Sequence, residues 1–383
     1  MKLGLAVPVV WLLLGSGSSA AQTSQPVAAG WGVDTTGAVA WTDGPRADVV
    51  RDIFRRWAEY LGSNPRRQEK TRLWSAAEQR QWPQYDLTSG IAYQGVPATV
   101  LEISPASPEA DDRYIVKTLF AAAVGEPPEI KPIALTRVHA VREDGAWVFS
   151  SVLPYLTRDW RQETVGAITY VLEPGYPFDA ERASRAVAFT DSLAAAYGVP
   201  AVTGLTYYLT SSPEQVHRIM GVEWTVGGVG YGYASPANRL IFSGTPVTGE
   251  DNRHELTHLV LAPLVSAGRT HPLISEGVAT WLGGSMGRDF LTLMREYATY
   301  LRRYPDVTLD AVLEEAGPDR GVRPAGAVLS LMVFERGGVA AVKELMTSGW
   351  STIELKGALS AMLGAPWAEV GAQWRARSLA YGN

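Results

Sequence analysis

Two histidines separated by three residues constrain this chain more than any other feature. In the segment His254-Glu255-Leu256-Thr257-His258, the i, i+4 spacing puts both imidazoles on one face of a helix, one turn apart. Both can therefore reach one ion, and Glu255 lies beside them, placed to hold a water on that ion. Leu256, Leu259, Val260 and Leu261 supply the helix with apolar positions, while Pro263 and Gly268 are expected to break it and reverse the chain. The chain has no cysteine, so thiol catalysis and disulfides are excluded and any metal must be held by histidine and carboxylate. Zinc takes such ligands, and a catalytic zinc site keeps one position open for water.

Downstream, Ser275-Glu276-Gly277-Val278-Ala279-Thr280-Trp281 opens a second helix, with 17 residues between His258 and Glu276. The pair HELTH and SEGVATWLGG resembles the gluzincin peptidases, in particular the aminopeptidase-N-like and peptidase-MA-like groups. Their pattern is H-E-x-x-H, a spacer of about 18, then N-E-G-x-A. Ser275 stands where Asn is usual and the spacer is one shorter; neither change removes a ligand. The resemblance runs over residues 166–383 and is specific at 250–285. It implies one Zn2+ held by His254, His258 and Glu276, with Glu255 as general base and later proton donor, acting on a peptide or protein.

Two further likenesses extend the resemblance. The run Arg323-Pro324-Ala325-Gly326-Ala327 is similar to the helix carrying the catalytic Tyr of those enzymes, with Arg323 at the position of the Tyr. An arginine there would stabilise an oxyanion by fixed positive charge; the competing reading is a surface residue. Gly230-Tyr231-Gly232-Tyr233-Ala234 sits where gluzincins have their substrate-binding edge strand. The aminopeptidase signature G-x-M-E-N is absent, which points away from aminopeptidase activity and toward an endopeptidase or no peptidase function.

Elsewhere the pattern is α+β. Residues 22–44 read as a linker. Asp48 to Leu61 have helical periodicity, and Thr99–Ile103, Arg113–Leu119, Ile133–Val141 and Trp147–Val152 read as strands, the last two joined by an Asp144-Gly145 hairpin. A helix followed by an antiparallel meander over 45–160 is similar to an NTF2-like cone. The second unit, 166–383, begins with a strand at Ala167–Leu172, a helix at Asp179–Tyr197 and a strand at Thr203–Leu209. Gly227–Gly244 reads as an exposed strand pair, and the chain from Gly249 onward as largely helical.

The other histidines read blandly: His139 half-buried or at the surface in a strand, His217 solvated, His271 an ordinary loop residue rather than a substrate contact or proton donor. Arg295, Tyr297, Tyr300, Arg302 and Arg303 form a helix surface facing solvent or a cleft, with Tyr297 or Tyr300 in reserve as the electrophile. The thirteen Trp are expected to pack cores.

At the amino terminus, Lys2, the apolar run Leu3–Leu14 and the small residues Gly15–Ala21 form the three parts of a secretory signal, with Ser19-Ala20-Ala21 suited to cleavage. The alternative is an uncleaved anchor. After cleavage no membrane span is expected, and the chain would work in the periplasm or medium. With 34 Lys+Arg against 39 Asp+Glu and no basic block, nucleic acid is not an expected partner; sequence does not fix an oligomeric state. The rival function is a non-catalytic cell-envelope binding protein on a zincin fold.

Overall fold

A computed structural model describes residues 33–35, 46–62, 72–81, 96–107, 112–124, 129–226, 231–267, 270–314 and 321–382. The candidate signal, Trp82 and Gly230 lie outside them. The described chain forms two units. One holds the residues up to Trp160 together with Ser212–Gly230; the other holds Arg161–Ser211 and Tyr231 onward. The first unit ends at Trp160, residues 161–165 fall with the second, and Ser212–Gly230 groups with the first. The strand Val222–Thr225 pairs with a strand of the first unit, so the chain leaves the second unit at Ser212 and returns to it at Tyr231.

In the first unit, α1 (Ala47–Gly62) lies against a sheet of β1 (Val33–Thr35), β2 (Ala98–Pro105), β3 (Arg113–Val124), β4 (Glu129–Glu143) and β5 (Ala146–Ser150). Neighbours in that order pair antiparallel, except β1 with β2, and Val222–Thr225 adds to β4 beside β5. Val50, Ile53, Trp57, Tyr60 and Leu61 share one face of α1 and are buried, as the 3.6-residue period requires. Trp57 stacks on Tyr60 at 5.0 Å and donates its indole N–H to Thr118 Oγ1 at 2.8 Å. Buried Glu78, in α2 (Ala76–Gln81), accepts from Ser150 Oγ, Ser151 N and Ser151 Oγ through Oε1, and the short α3 (Leu153–Leu156) follows β5. The hairpin turn has Asp144 at φ 49° and Gly145 at φ 79°, the paired positive angles of a tight two-residue connection. Pro132 sits in β4 beside the bulge at Phe120/Ala121, where a missing N–H is tolerated. His139 is buried rather than half-buried, edge-on to Tyr155 at 4.7 Å. Burial, then Arg113 and Arg137, push its pKa down to about 4.

The second unit opens with β6 (Arg161–Val165), β7 (Ile168–Leu172), α4 (Ala180–Tyr197), β8 (Leu205–Leu209), β9 (Gly232–Ser235) and β10 (Leu240–Ser243). The sheet order is β9-β10-β8-β7-β6, with β10, β8 and β7 parallel and the two outer strands antiparallel. Leu240, Ile241 and Phe242 are fully buried. The expectation of an exposed pair therefore fails: β9 lies at the sheet edge but is half-buried, with Ser235 buried, and β10 is an inner strand whose apolar run is covered on both faces. Asp179 caps α4 by accepting from the amides of Glu181 and Arg182, and Gly198 ends it in the left-handed region, where glycine carries no Cβ penalty.

Seven helices follow among the described residues: α5 (Arg253–Ala267), α6 (Pro272–Gly283), α7 (Phe290–Arg303), α8 (Leu309–Glu314), α9 (Arg323–Met346), α10 (Thr352–Leu363) and α11 (Trp367–Ala380). α5 does not stop at Pro263 but runs through it to Ala267. α9 is kinked at Gly338. Among the described residues it alone is long and apolar enough to cross a membrane, yet Ala325 to Ser330 are buried in the unit's helical core.

Candidate metal centre

The start of α5 is fixed from below by hydrogen bonds to five consecutive carbonyls. Arg182 Nη1 donates to Pro246 O and Nη2 to Val247 O and Thr248 O. Tyr207 Oη donates to Gly249 O at 2.7 Å and Tyr170 Oη to Glu250 O at 3.3 Å. Gly249, at φ 48°, leaves room for Arg182, whose Cζ would stand 2.9 Å from a Cβ there. Helix α5 then carries His254 and His258, whose Nε2 atoms lie 3.3 Å apart.

Glu276 comes from α6 and closes the group. Its Oε2 is 3.4 Å from His254 Nε2, and its Oε1 is 3.3 Å from His258 Nε2. His254 Nδ1 lies 2.8 Å from Gly284 O, an acceptor only, so Nδ1 carries the proton and Nε2 presents a lone pair to the centre. Gly283 and Gly284 make this contact possible. A Cβ on Gly283 would stand 2.5 Å from the carbonyl of Arg253, and Gly284 takes φ 74°. Beside this bond opens a cavity of about 660 Å³, with Arg182, Arg253, Trp281 and Arg288 among its lining residues.

The donor set passes a geometric test for zinc. Ligands about 2.0–2.1 Å from a tetrahedral ion lie about 3.3–3.4 Å from each other, the spacing of the closest donor pairs here. Burial disfavours a charged His258, but facing Glu276 raises its pKa overall. Burial likewise opposes ionisation of Glu276, but His258 and His254 hold its pKa well below the usual carboxylate value. A proton on His258 and a metal cation thus satisfy the same convergence of lone pairs.

Glu255 and the candidate substrate strand come together. A Cβ on Gly232, in β9, would stand 2.7 Å from Asn252 Nδ2 and 3.2 Å from Glu255 Oε1. The strand therefore passes Glu255 at a distance only glycine permits. Tyr231 is exposed. Tyr233 shares the opposite face of the sheet with Phe242, at 6.1 Å.

The remaining candidates fall elsewhere. Arg323 Nε donates to Glu276 Oε2 at 2.9 Å, so the arginine read as an oxyanion stabiliser is bonded to a candidate ligand. Tyr297 is buried in the core against Trp374 and Tyr300, not on a solvent or cleft face, and burial raises its pKa. Tyr300 is partly buried against the same core. His271 caps α6, accepting from Leu273 N at 3.2 Å.

No protein-family model and no curated protein match the chain. Solved structures do. One is an M1 zinc metallopeptidase mutant from Deinococcus radiodurans bound to a Tyr-Ser-Ala substrate. It shares 16% identity over 72% of this chain and 62% of that one, with a TM-score of 0.35. Another is a two-domain M1 zinc metallopeptidase mutant bound to L-tryptophan, at 15% identity over 73% and 63%, with a TM-score of 0.36. The chain spans less than two thirds of the length of these neighbours. The reading of the site rests on its own residues.

Proposed function

We propose that this chain is an exported zinc-dependent peptidase. The observation that carries the reading is the convergence of His254 Nε2, His258 Nε2 and the Glu276 carboxylate, with Glu255 beside Gly232 of an edge strand. His254, His258 and Glu276 would hold the ion. Bound zinc would polarise the scissile carbonyl and lower the pKa of a water.

Glu255 takes the proton of the attacking water on a carboxylate oxygen and passes it to the leaving amine. β9 is one of the two edge strands of its sheet among the described residues, and an extended peptide adds to such an edge through backbone hydrogen bonds. Gly232 keeps the strand close to Glu255, so a peptide on that edge would lie beside the water that the base activates. In the first unit, a helix against one face of a bulged antiparallel sheet supports the NTF2-like reading.

One observation favours the rival, a non-catalytic binding protein: Arg323 is engaged with Glu276, and Tyr297 is enclosed in the core. A metal assay combined with a peptide-library digest separates the two. The peptidase reading expects about one zinc per chain, cleavage of library peptides, and loss of cleavage with zinc retained in Glu255→Gln. Zinc without cleavage in the wild type would favour the binding protein, and cleavage unchanged in Glu255→Gln would refute the mechanism.

A further inference from the structure

We propose that Arg323 is a positioning residue, holding the Glu276 carboxylate in its ligating orientation, and that a glycine-to-glycine crossing of α6 and α9 delivers it there. The inference rests on the zinc-peptidase reading above.

Among the three donors, Glu276 has the most rotatable bonds and the greatest rotamer freedom to lose. His254 is aligned by Gly284 O. For Glu276, the corresponding restraint is the 2.9 Å bond from Arg323 Nε to Oε2. The two side chains are 18% and 22% exposed, so this charge-assisted bond is shielded more than a surface pair.

The backbone explains how Arg323 arrives. Glu276 precedes Gly277, and Arg323 lies one helical turn before Gly326. A Cβ on Gly277 would stand 2.2 Å from the carbonyl carbon of Gly326, and one on Gly326 would stand 1.9 Å from the carbonyl oxygen of Leu273. The helices touch backbone to backbone, and that contact sets the reach from Arg323 to Glu276. A cation beside a metal site also repels the metal. Here Glu276 lies between them, and Glu255 adds a second negative charge, so orientation of the ligand is the larger effect.

An oxyanion donor and a positioning residue predict different losses. Removing an oxyanion donor slows turnover and leaves metal affinity alone. Removing the partner of a metal ligand typically weakens metal binding by about ten- to a hundredfold. The test uses the full chain as wild type, Arg323→Ala and Arg323→Lys. Zinc dissociation constants are read by competition with a chromophoric chelator. The visible spectrum of the cobalt(II)-loaded proteins reports ligand number and geometry, and melting of the metal-free forms checks the fold.

Arg323→Ala should bind zinc about ten- to a hundredfold more weakly, with a changed cobalt spectrum. Arg323→Lys should recover part of the affinity, since it keeps the charge without the planar geometry, and it carries the test if the alanine variant does not fold. Zinc affinity and cobalt spectra equal to wild type in both variants would overturn the proposal, as would tighter zinc binding in Arg323→Ala. A wild type that takes no zinc would overturn the peptidase reading and this inference together.

Discussion

Gly326 lies directly against Gly277: a Cβ on Gly326 would stand 2.9 Å from the Gly277 Cα. Neither partner can gain a side chain without moving a helix. Gly326→Ala should destabilise the second unit by about 1–3 kcal/mol, the usual cost of overpacking, and should also weaken zinc binding as α9 draws Arg323 away from Glu276. Denaturant midpoints and chelator competition measure the two effects. A stable variant with undiminished zinc affinity would mean that the crossing does not set the ligand's position.

His258→Ala removes one of three ligands and should abolish stoichiometric zinc. His271→Ala is the matched control. Its imidazole caps α6, so its loss should cost about 1 kcal/mol of stability and leave zinc bound. Metal content after dialysis, read by emission spectroscopy, checks both. Full zinc in His258→Ala would refute the ligand assignment.

The first unit should weaken in acid. His139 has its folded pKa pushed down to about 4 from 6.5. Between those values the unfolded chain binds a proton that the folded chain refuses, so stability rises with pH there. The contribution is complete above about 6.5 and is lost as pH falls toward 4, amounting to roughly 2–3 kcal/mol. His139→Gln should flatten this dependence. Identical pH slopes for the variant and wild type, from urea unfolding between pH 7 and pH 4, would remove His139 as the cause.

A chain starting at Arg161 should fold poorly, because Val222–Thr225 would lose its partner in β4. The same chain with residues 212–230 replaced by a short Gly-Ser linker should be soluble and bind zinc. Proteolysis and zinc titration compare them. If the unreplaced chain proves as soluble and protease-resistant as the shortened one, the segment does not belong to the first unit.

The clustering of His254, His258 and Glu276 was legible because helical periodicity places the two histidines together, and because the resemblance named Glu276. The Asp144-Gly145 turn and the Asp179 and Gly198 caps were legible for a similar reason: local backbone chemistry fixes them. What stayed hidden depends on long-range packing. Nothing local to Val222–Thr225 says that it crosses to another sheet, or that Leu240–Phe242 is an inner strand. Tyr297 looked amphipathic on its own helix, but α11 covers it with Trp374. Arg182, 72 residues before His254 in the sequence, gave no sign of its role, since its partners are backbone carbonyls without sequence identity. Only the glycines of SEGVATWLGG and RPAGA offered a signal, as runs where a missing side chain permits close helix contact.

The five carbonyls from Pro246 to Glu250 are bound by Arg182, Tyr207 and Tyr170, and none of these bonds involves a metal ligand. These bonds shape the turn before α5 through protein groups alone. The contrast is with small zinc domains, whose chains order only as the ion binds. Here the affinity for the ion is available for holding it rather than for building the fold.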